Sequence, residues 1–187
     1  FSGSPVSDAF LLEKQIALDV NDDGFKDMVG VANAHDSIVA YINPGNNGDE
    51  WLRQVLTTET PGPVNLVSAD IDRDGDLDLV VAQRSQARSF PRPMQGISWL
   101  ENIRGSMERW PLHRIDNSET NFADARTVQA GDIDRDGYVD ILVSDLLKGK
   151  LAWYGRKQNN WIRHEIPNIN TSQAHFGKLF DLDKDGQ

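Results

Sequence analysis

Aspartates occupy every second position of one nine-residue segment, 70–78, and a glycine, Gly75, lies at its sixth position. Side chains at alternate positions of a tight loop can converge on one point, and carboxylates that close repel one another unless a cation lies between them. Ca²⁺ suits such a group because it takes about six to eight oxygen ligands in a flexible geometry. The pattern therefore predicts a calcium-binding loop, in which the glycine gives the backbone freedom for a sharp turn.

The same spacing recurs along the chain, which argues against a chance cluster of acidic residues. It is complete at 19–27, with asparagine at position 3, and at 132–140, and a further copy begins at Asp181. None of the complete copies has the Glu at position 12 that an EF-hand needs. We predict three Ca²⁺ ions, with the unfinished copy able to hold a fourth, and a structural role for them, because an enzyme rarely needs several identical reaction centres. The predicted ligands are the side chains at positions 1, 3, 5 and 9 and the backbone carbonyl at position 7: Asp19, Asn21, Asp23, Phe25, Asp27, Asp70, Asp72, Asp74, Asp76, Asp78, Asp132, Asp134, Asp136, Tyr138, Asp140, Asp181, Asp183 and Asp185.

The charge balance follows from these loops. The chain of 187 residues has 29 acidic and 19 basic residues and a formal net charge of −10. More than half of the acidic residues lie in the predicted metal loops, and three Ca²⁺ ions would bring the net charge to about −4. The acidity therefore says little about partners, except that it argues against nucleic acid. No apolar run is long enough to cross a bilayer, so we expect no membrane insertion.

Short runs rich in β-branched residues surround each acidic loop. One run leads into the loop, a second leaves it, and two more follow before the next repeat. No helical periodicity is visible, and four short strands in a unit of about 50 residues are typical of a β-propeller blade. We predict one all-β domain, 1–187, of four-stranded antiparallel blades. About three and a half are present, at 13–57, 63–116, 125–167 and, in part, 174–187.

Aromatic residues recur in the third and fourth runs of each unit. Tyr41, Trp99 and Trp153 match one another by position, as do the tryptophans at 51, 110 and 161. These side chains can pack between blades, or they can stack against sugars in pockets between blades. His113 and His164 also share a repeat position, for which packing is the favoured interpretation.

The loop spacing, the apolar strand after it and the turn Trp99-Leu-Glu-Asn102 together resemble the VCBS and FG-GAP repeats. Those families form calcium-loop β-propellers, which occur in integrin α chains and in several secreted lectins and polysaccharide-degrading enzymes. The resemblance implies calcium binding and a secreted or cell-surface location. No Gly-Ala-Pro element of the integrin form is visible, so the VCBS form is the nearer match.

We expect a calcium-stabilised extracellular module that acts in binding or adhesion, with carbohydrate the favoured ligand. The second repeat carries an insertion at 84–95 that the scaffold does not require, and such departures are where specific function tends to lie. Candidate ligand-binding residues are Arg84, Arg88, Arg92, Trp99 and Trp153.

Two alternatives stay open. One is a propeller-type polysaccharide lyase or hydrolase, in which an arginine of the insertion neutralises a uronate beside a histidine base. The other is a structural repeat of an extracellular filament or surface protein. The expected partner of the module is a glycan or an extracellular protein. Since three and a half blades cannot close a ring, we also expect the rest of a longer chain, or sister subunits, to complete a propeller of six to eight blades, with seven favoured.

Overall fold

The computed structural model describes residues 12–84, 96–104, 106–107, 109–116, 125–145, 149–157 and 160–167. This part of the chain contains three sheets, each made of four antiparallel strands that follow one another in sequence order. The prediction of an all-β fold built from blade-like four-stranded sheets is therefore confirmed. The predicted partial blade, 174–187, lies outside the described residues.

The three sheets share one plan, and short 3₁₀ turns occur at Asn33–His35 and Gly45–Asn47. The first sheet comprises β1 Gln15–Leu18, β2 Asp27–Ala32, β3 Ser37–Ile42 and β4 Leu52–Thr57. The second comprises β5 Pro63–Ala69, β6 Asp78–Gln83, β7 Gly96–Leu100 and β8 Leu112–Asp116. The third comprises β9 Ala125–Gly131, β10 Asp140–Asp145, β11 Lys150–Lys157 and β12 Asn160–Glu165.

The core lies between consecutive sheets. One apolar cluster joins the first sheet to the second, and another joins the second to the third. The second strand of each sheet is covered on both faces, so β6 and β10 are buried along their whole length. The main contacts between sheets involve their first two strands. In the described part of the chain the sheets therefore form a row and not a closed ring.

The three tryptophans that precede or begin the fourth strands show how the sheets join. Trp110 is 5% exposed and belongs to the cluster between the first and second sheets. Trp161 packs against the cluster between the second and third sheets. Trp51, at the same repeat position in the first sheet, is 50% exposed. This position therefore contacts the preceding sheet wherever such a sheet is present.

The strand register corrects one predicted equivalence. Trp99 pairs with His113 and Trp153 pairs with His164, but in the first sheet it is Ala40 that pairs with Gln54. The equivalence of Tyr41 with the two tryptophans is therefore wrong by one residue. A slip of one residue moves a side chain to the opposite face of a strand, and adjacent positions in one repeat cannot be told apart without the pairing.

Candidate metal loops and an inter-sheet cleft

Each complete acidic loop connects the first strand of its sheet to the second. We call 19–27 the first loop, 70–78 the second and 132–140 the third. All three have a left-handed backbone at position 4 and a glycine with positive φ at position 6, so they share one turn. The position 4 angles are 59° at Asp22, 69° at Arg73 and 64° at Arg135, and the glycine angles are 89° at Gly24, 98° at Gly75 and 82° at Gly137. The sequence indicated the glycine but not position 4, because two of the three loops have Arg there, which carries no signal for a left-handed backbone.

Backbone N–H groups of the loop turn its carboxylates inward. In the first loop Gly24 N–H donates to Asp19 Oδ2 at 2.8 Å, and Phe25 N–H donates to Asp23 Oδ1 at 2.8 Å. The third loop repeats both bonds, from Gly137 to Asp132 at 2.9 Å and from Tyr138 to Asp136 at 2.8 Å. These bonds hold the side chains of positions 1 and 5 in the concave side of the turn.

The aspartate at position 9 has a second role that the sequence did not reveal. Asp27, Asp78 and Asp140 are at most 1% exposed, and each accepts the N–H of position 2 of its own loop at 2.7–2.9 Å. In the first two sheets the other oxygen accepts the N–H of Asn43 or Asn102, just after the third strand, at 2.8 Å. The buried carboxylate thus ties the loop to two strands of its sheet.

Acidic oxygens converge in two of the loops. One oxygen from each of Asp70, Asp72 and Asp78 lies within 4.8 Å of the others, and Asp132, Asp134 and Asp136 form a second such group. Both groups could hold a metal ion. In the first loop Asn21 takes position 3, and its Nδ2 donates to Asp23 Oδ2 at 2.9 Å.

The second and third loops also contain carboxylate oxygens that lack a partner. Oδ1 of Asp70 and Oδ1 of Asp140 are buried, and neither has a hydrogen-bond partner among the described residues. Asp70 belongs to a convergent group, whereas Oδ1 of Asp140 corresponds to the oxygen that Asp27 and Asp78 direct towards the end of the third strand. A buried oxygen without a donor is costly unless a cation or donor satisfies it. Asp70 and its neighbours in the second loop therefore fit a hard cation such as Ca²⁺, which takes carboxylate and carbonyl oxygens.

The pKa values of the aspartates in the second loop also fit a cation site. Burial raises the pKa of Asp78 to about 7, although the N–H bonds from Asn102 and Ile71 oppose the rise. Burial also raises the pKa of Asp76 to about 6. By contrast, the hydrogen bond with Asp76 lowers the pKa of Asp74. Without a cation the loop therefore keeps protons close to neutral pH, and metal binding has to release them.

Guanidinium groups connect neighbouring loops. Arg73 of the second loop donates from Nη2 to the carbonyl of Gly137, and its Cζ lies 3.6 Å from the ring centroid of Tyr138 in the third loop. Arg104 follows β7, and its Nε lies 3.7 Å from Asp22 Oδ2 in the first loop. Both arginines therefore reach from the second sheet to a loop of an adjacent sheet.

A cleft of about 550 Å³ opens between the second and third sheets. Trp99 forms part of its wall and stacks on His113 with ring centroids 4.4 Å apart, and His113 Nε2 lies 2.7 Å from Glu101 Oε2. The Cζ atom of Arg156 lies 5.8 Å from the centroid of the Trp161 ring, and the Arg156 guanidinium donates to the carbonyl of Ile71. The cleft thus combines aromatic surface with groups of both charges.

One residue belongs both to the cleft and to a metal loop. Asp72, at position 3 of the second loop, lines the cleft together with Glu101 and Arg114. Burial raises the pKa of Asp72, and the charge of Glu101 adds to the rise, so the two carboxylates are electrostatic neighbours. A ligand in the cleft would therefore lie beside the second loop.

The other predicted ligand-binding residues lie elsewhere. Arg84 joins the first two sheets, because its N–H donates to Gly62 O at 2.9 Å and its Nη2 donates to Asn33 Oδ1 at 3.0 Å. Trp153 stacks on His164 with centroids 4.1 Å apart, on the third sheet and outside the cleft. Five further aromatic and charged residues that line the cleft were not among the predicted binding residues: Glu101, His113, Arg114, Arg156 and Trp161. Arg88, Arg92, Asp181, Asp183 and Asp185 lie outside the described residues.

Consecutive four-stranded sheets, each with an acidic loop between its first two strands, define a repeat module of the β-propeller type. Residues 19–81 match the family model of the FG-GAP-like repeat. This match begins at the first aspartate of the first loop and ends in β6, and over that range it confirms the resemblance to FG-GAP-like repeats. Comparison with curated proteins gave no match. None of the described helices has the length and apolar character of a membrane span.

Proposed function

We propose that this chain is a calcium-stabilised extracellular module of the β-propeller type that binds carbohydrate. The observation that carries the calcium part is the convergence of carboxylates in the second and third loops, with a buried oxygen of Asp70 that lacks a donor. Asp70, Asp72, Asp74 and Asp78 would hold the ion in the second loop together with the carbonyl of Asp76. Calcium at such sites would join the first and second strands of each sheet by an ionic link.

Chelation tests this role directly. A ligand that binds only the folded state stabilises it by about 2.7 kcal/mol per site at 100 times its dissociation constant. Excess chelator should therefore lower the melting temperature by about 5–10 °C for each site lost, at about 2–4 °C per kcal/mol. Magnesium is the matched control, because it demands a tighter octahedral shell and should restore less stability. Identical melting curves in calcium and in chelator would contradict the proposal.

The cleft between the second and third sheets is the proposed carbohydrate site. Sugars have apolar faces that stack on aromatic rings and hydroxyl groups that need several polar partners. Trp161 supplies the ring, while Glu101, His113 and Arg114 supply donors and acceptors on the opposite wall. The neighbouring second loop would link this site to calcium through Asp72.

Binding to an array of neutral and uronate-containing glycans would identify the sugar. Trp161→Ala should then reduce affinity at least tenfold. Arg114→Ala serves as a second variant, with its melting temperature measured alongside, because this exposed side chain also donates to the buried Gln83 and Ser98. Trp51→Ala is the matched control, since Trp51 shares the repeat position of Trp161 but lies outside the cleft. Equal loss in the Trp51 and Trp161 variants, or no glycan signal for the wild type, would refute the assignment.

A lyase or hydrolase is the second candidate, and one observation favours it. The cleft brings His113, hydrogen-bonded to Glu101, together with Arg114 and Arg156. A base beside guanidinium groups is the arrangement that proton abstraction next to a uronate carboxylate needs. Shortening of a uronate polysaccharide by the wild type, abolished in His113→Ala, would identify an enzyme. Intact polysaccharide would leave binding as the function.

A further inference from the structure

Arg73 lies in the second loop, but its side chain contacts only the third loop in the bonds described above. Its guanidinium donates to the carbonyl of Gly137 and covers the ring of Tyr138. These two residues flank one peptide group, whose N–H donates to Asp136 Oδ1 at 2.8 Å. Arg73 therefore holds the peptide whose N–H orients the carboxylate of position 5, and that peptide directly precedes the carbonyl of position 7.

The carboxylates of the third loop are more exposed than those of the second, so the third loop depends more on a contact such as that of Arg73. Asp132, Asp134 and Asp136 are all exposed, whereas Asp70 and Asp72 of the second loop are partly buried. Neighbouring protein fixes the second loop in place, but solvent surrounds the carboxylates of the third. An exposed cluster of like charges tends to spread apart when no cation is bound. A contact from outside the loop would keep its ligands closer to the binding geometry.

We propose that Arg73 is a positioning residue for the third loop, so that calcium in the second loop strengthens calcium binding in the third. This inference rests on the proposed calcium binding of both loops. Arg73 stands between Asp72 and Asp74, and an ion held by those carboxylates fixes its left-handed backbone, φ 69°. The Arg73 side chain is then already ordered when the third loop binds calcium, so the entropy cost of that second binding step is smaller. A cost shared in this way couples the two calcium sites.

Charge alone predicts the opposite sign. A guanidinium beside a calcium site repels the ion, so its removal would strengthen binding if electrostatics dominated. If positioning dominates, removal weakens binding. The sign of the change therefore decides between the two effects.

Site-resolved calcium titration by ¹H–¹⁵N NMR tests the proposal, because each loop has its own glycine amide at position 6. In Arg73→Ala, the calcium midpoint at Gly137 should rise about three- to tenfold, as expected for the loss of a charged hydrogen bond and a cation–π contact. The midpoint at Gly24 should stay unchanged. Arg73→Lys keeps the charge and should recover part of the affinity. Arg104→Ala removes an equal charge without a contact to the third loop and should leave Gly137 unaffected.

A double-mutant cycle tests the coupling itself. Asp74 is exposed, so Asp74→Asn should weaken the second loop without unfolding it. This change should raise the midpoint at Gly137 in the wild-type background but not in Arg73→Ala. An unchanged or lowered Gly137 midpoint in Arg73→Ala would overturn the inference while calcium binding stands. Glycine amides that do not respond to calcium at all would overturn the proposed function, and this inference with it.

Discussion

Replacing Asp78 by asparagine should have opposite effects with and without calcium. The carboxylate is 0% exposed and accepts two backbone N–H groups, from Ile71 at 2.9 Å and Asn102 at 2.8 Å. Asparagine has nearly the same shape but no charge, and one of its two terminal atoms is a donor. The substitution therefore removes a buried charge and also one acceptor.

The pKa shift of Asp78 decides whether, in the calcium-free protein, the gain from removing the buried charge exceeds the cost of losing one hydrogen-bond acceptor. Burial raises the pKa of Asp78 to about 7, about three units above the ordinary value of an aspartate. A folded-state pKa above the unfolded value means that this group favours the fold at low pH and that its contribution is lost as pH rises towards 7. At pH 8 the buried carboxylate then costs about 4 kcal/mol relative to a neutral group, against about 1–2 kcal/mol for one lost acceptor. The substitution should therefore stabilise the calcium-free protein at pH 8 by about 2–3 kcal/mol.

Thermal melts followed by circular dichroism measure both effects. In chelator at pH 8, Asp78→Asn should melt about 4–12 °C above the wild type, and at pH 5 the two proteins should nearly coincide. In saturating calcium the variant should melt below the wild type, because a ligand is lost. Asp74→Asn is the control, since the pKa of exposed Asp74 is lowered and its neutralisation should bring no gain in chelator. A variant that melts below the wild type in chelator at pH 8 would refute the reasoning.

Three further outcomes follow from the structure. Calcium affinity, measured by calorimetry, should fall between pH 8 and pH 5.5 because Asp78 has to lose its proton; a pH-independent affinity would contradict this. Gly137→Ala and Gly75→Ala should each cost about 1–2 kcal/mol in melts, since both have positive φ. Only Gly137→Ala should also weaken calcium binding in the third loop, because the new Cβ would lie 3.2 Å from Arg73 Nη2. Trp110→Ala should destabilise by about 3–5 kcal/mol and Trp51→Ala by less than about 1 kcal/mol in urea unfolding; equal losses would contradict their different burial.

The strands and loops could be predicted from sequence because both depend on local spacing. Carboxylates at alternate positions, a glycine at position 6 and β-branched runs on either side place Asp70–Asp78 between two strands without any long-range information. The role of Asp78 as an acceptor for Asn102 could not be read in this way, since it requires the third strand to end beside the loop. Tyr41 was misplaced for a similar reason, because only strand pairing distinguishes it from Ala40.

The cleft was beyond sequence reasoning for a more general reason. Its residues come from a loop near 72, a strand pair at 99–114 and the last two strands of the third sheet at 156–161, and no local pattern relates these positions. Arg84 shows the converse error. Its position at the start of an insertion predicted that Arg84 binds a ligand. Its hydrogen bonds to Gly62 and Asn33 instead place it at the contact between the first and second sheets.

The joint between sheets also constrains how such a chain can evolve. Each sheet meets its neighbours through two unlike faces, so Trp110 has to fit the preceding sheet while Trp99 has to fit the following one. A substitution on one face must therefore be accommodated about one repeat away along the chain, on a different sheet. Duplication of a whole repeat preserves both kinds of face, whereas exchange of two sheets within a row breaks the match on every side. The order of the repeats is thus as much a part of the fold as the repeats themselves.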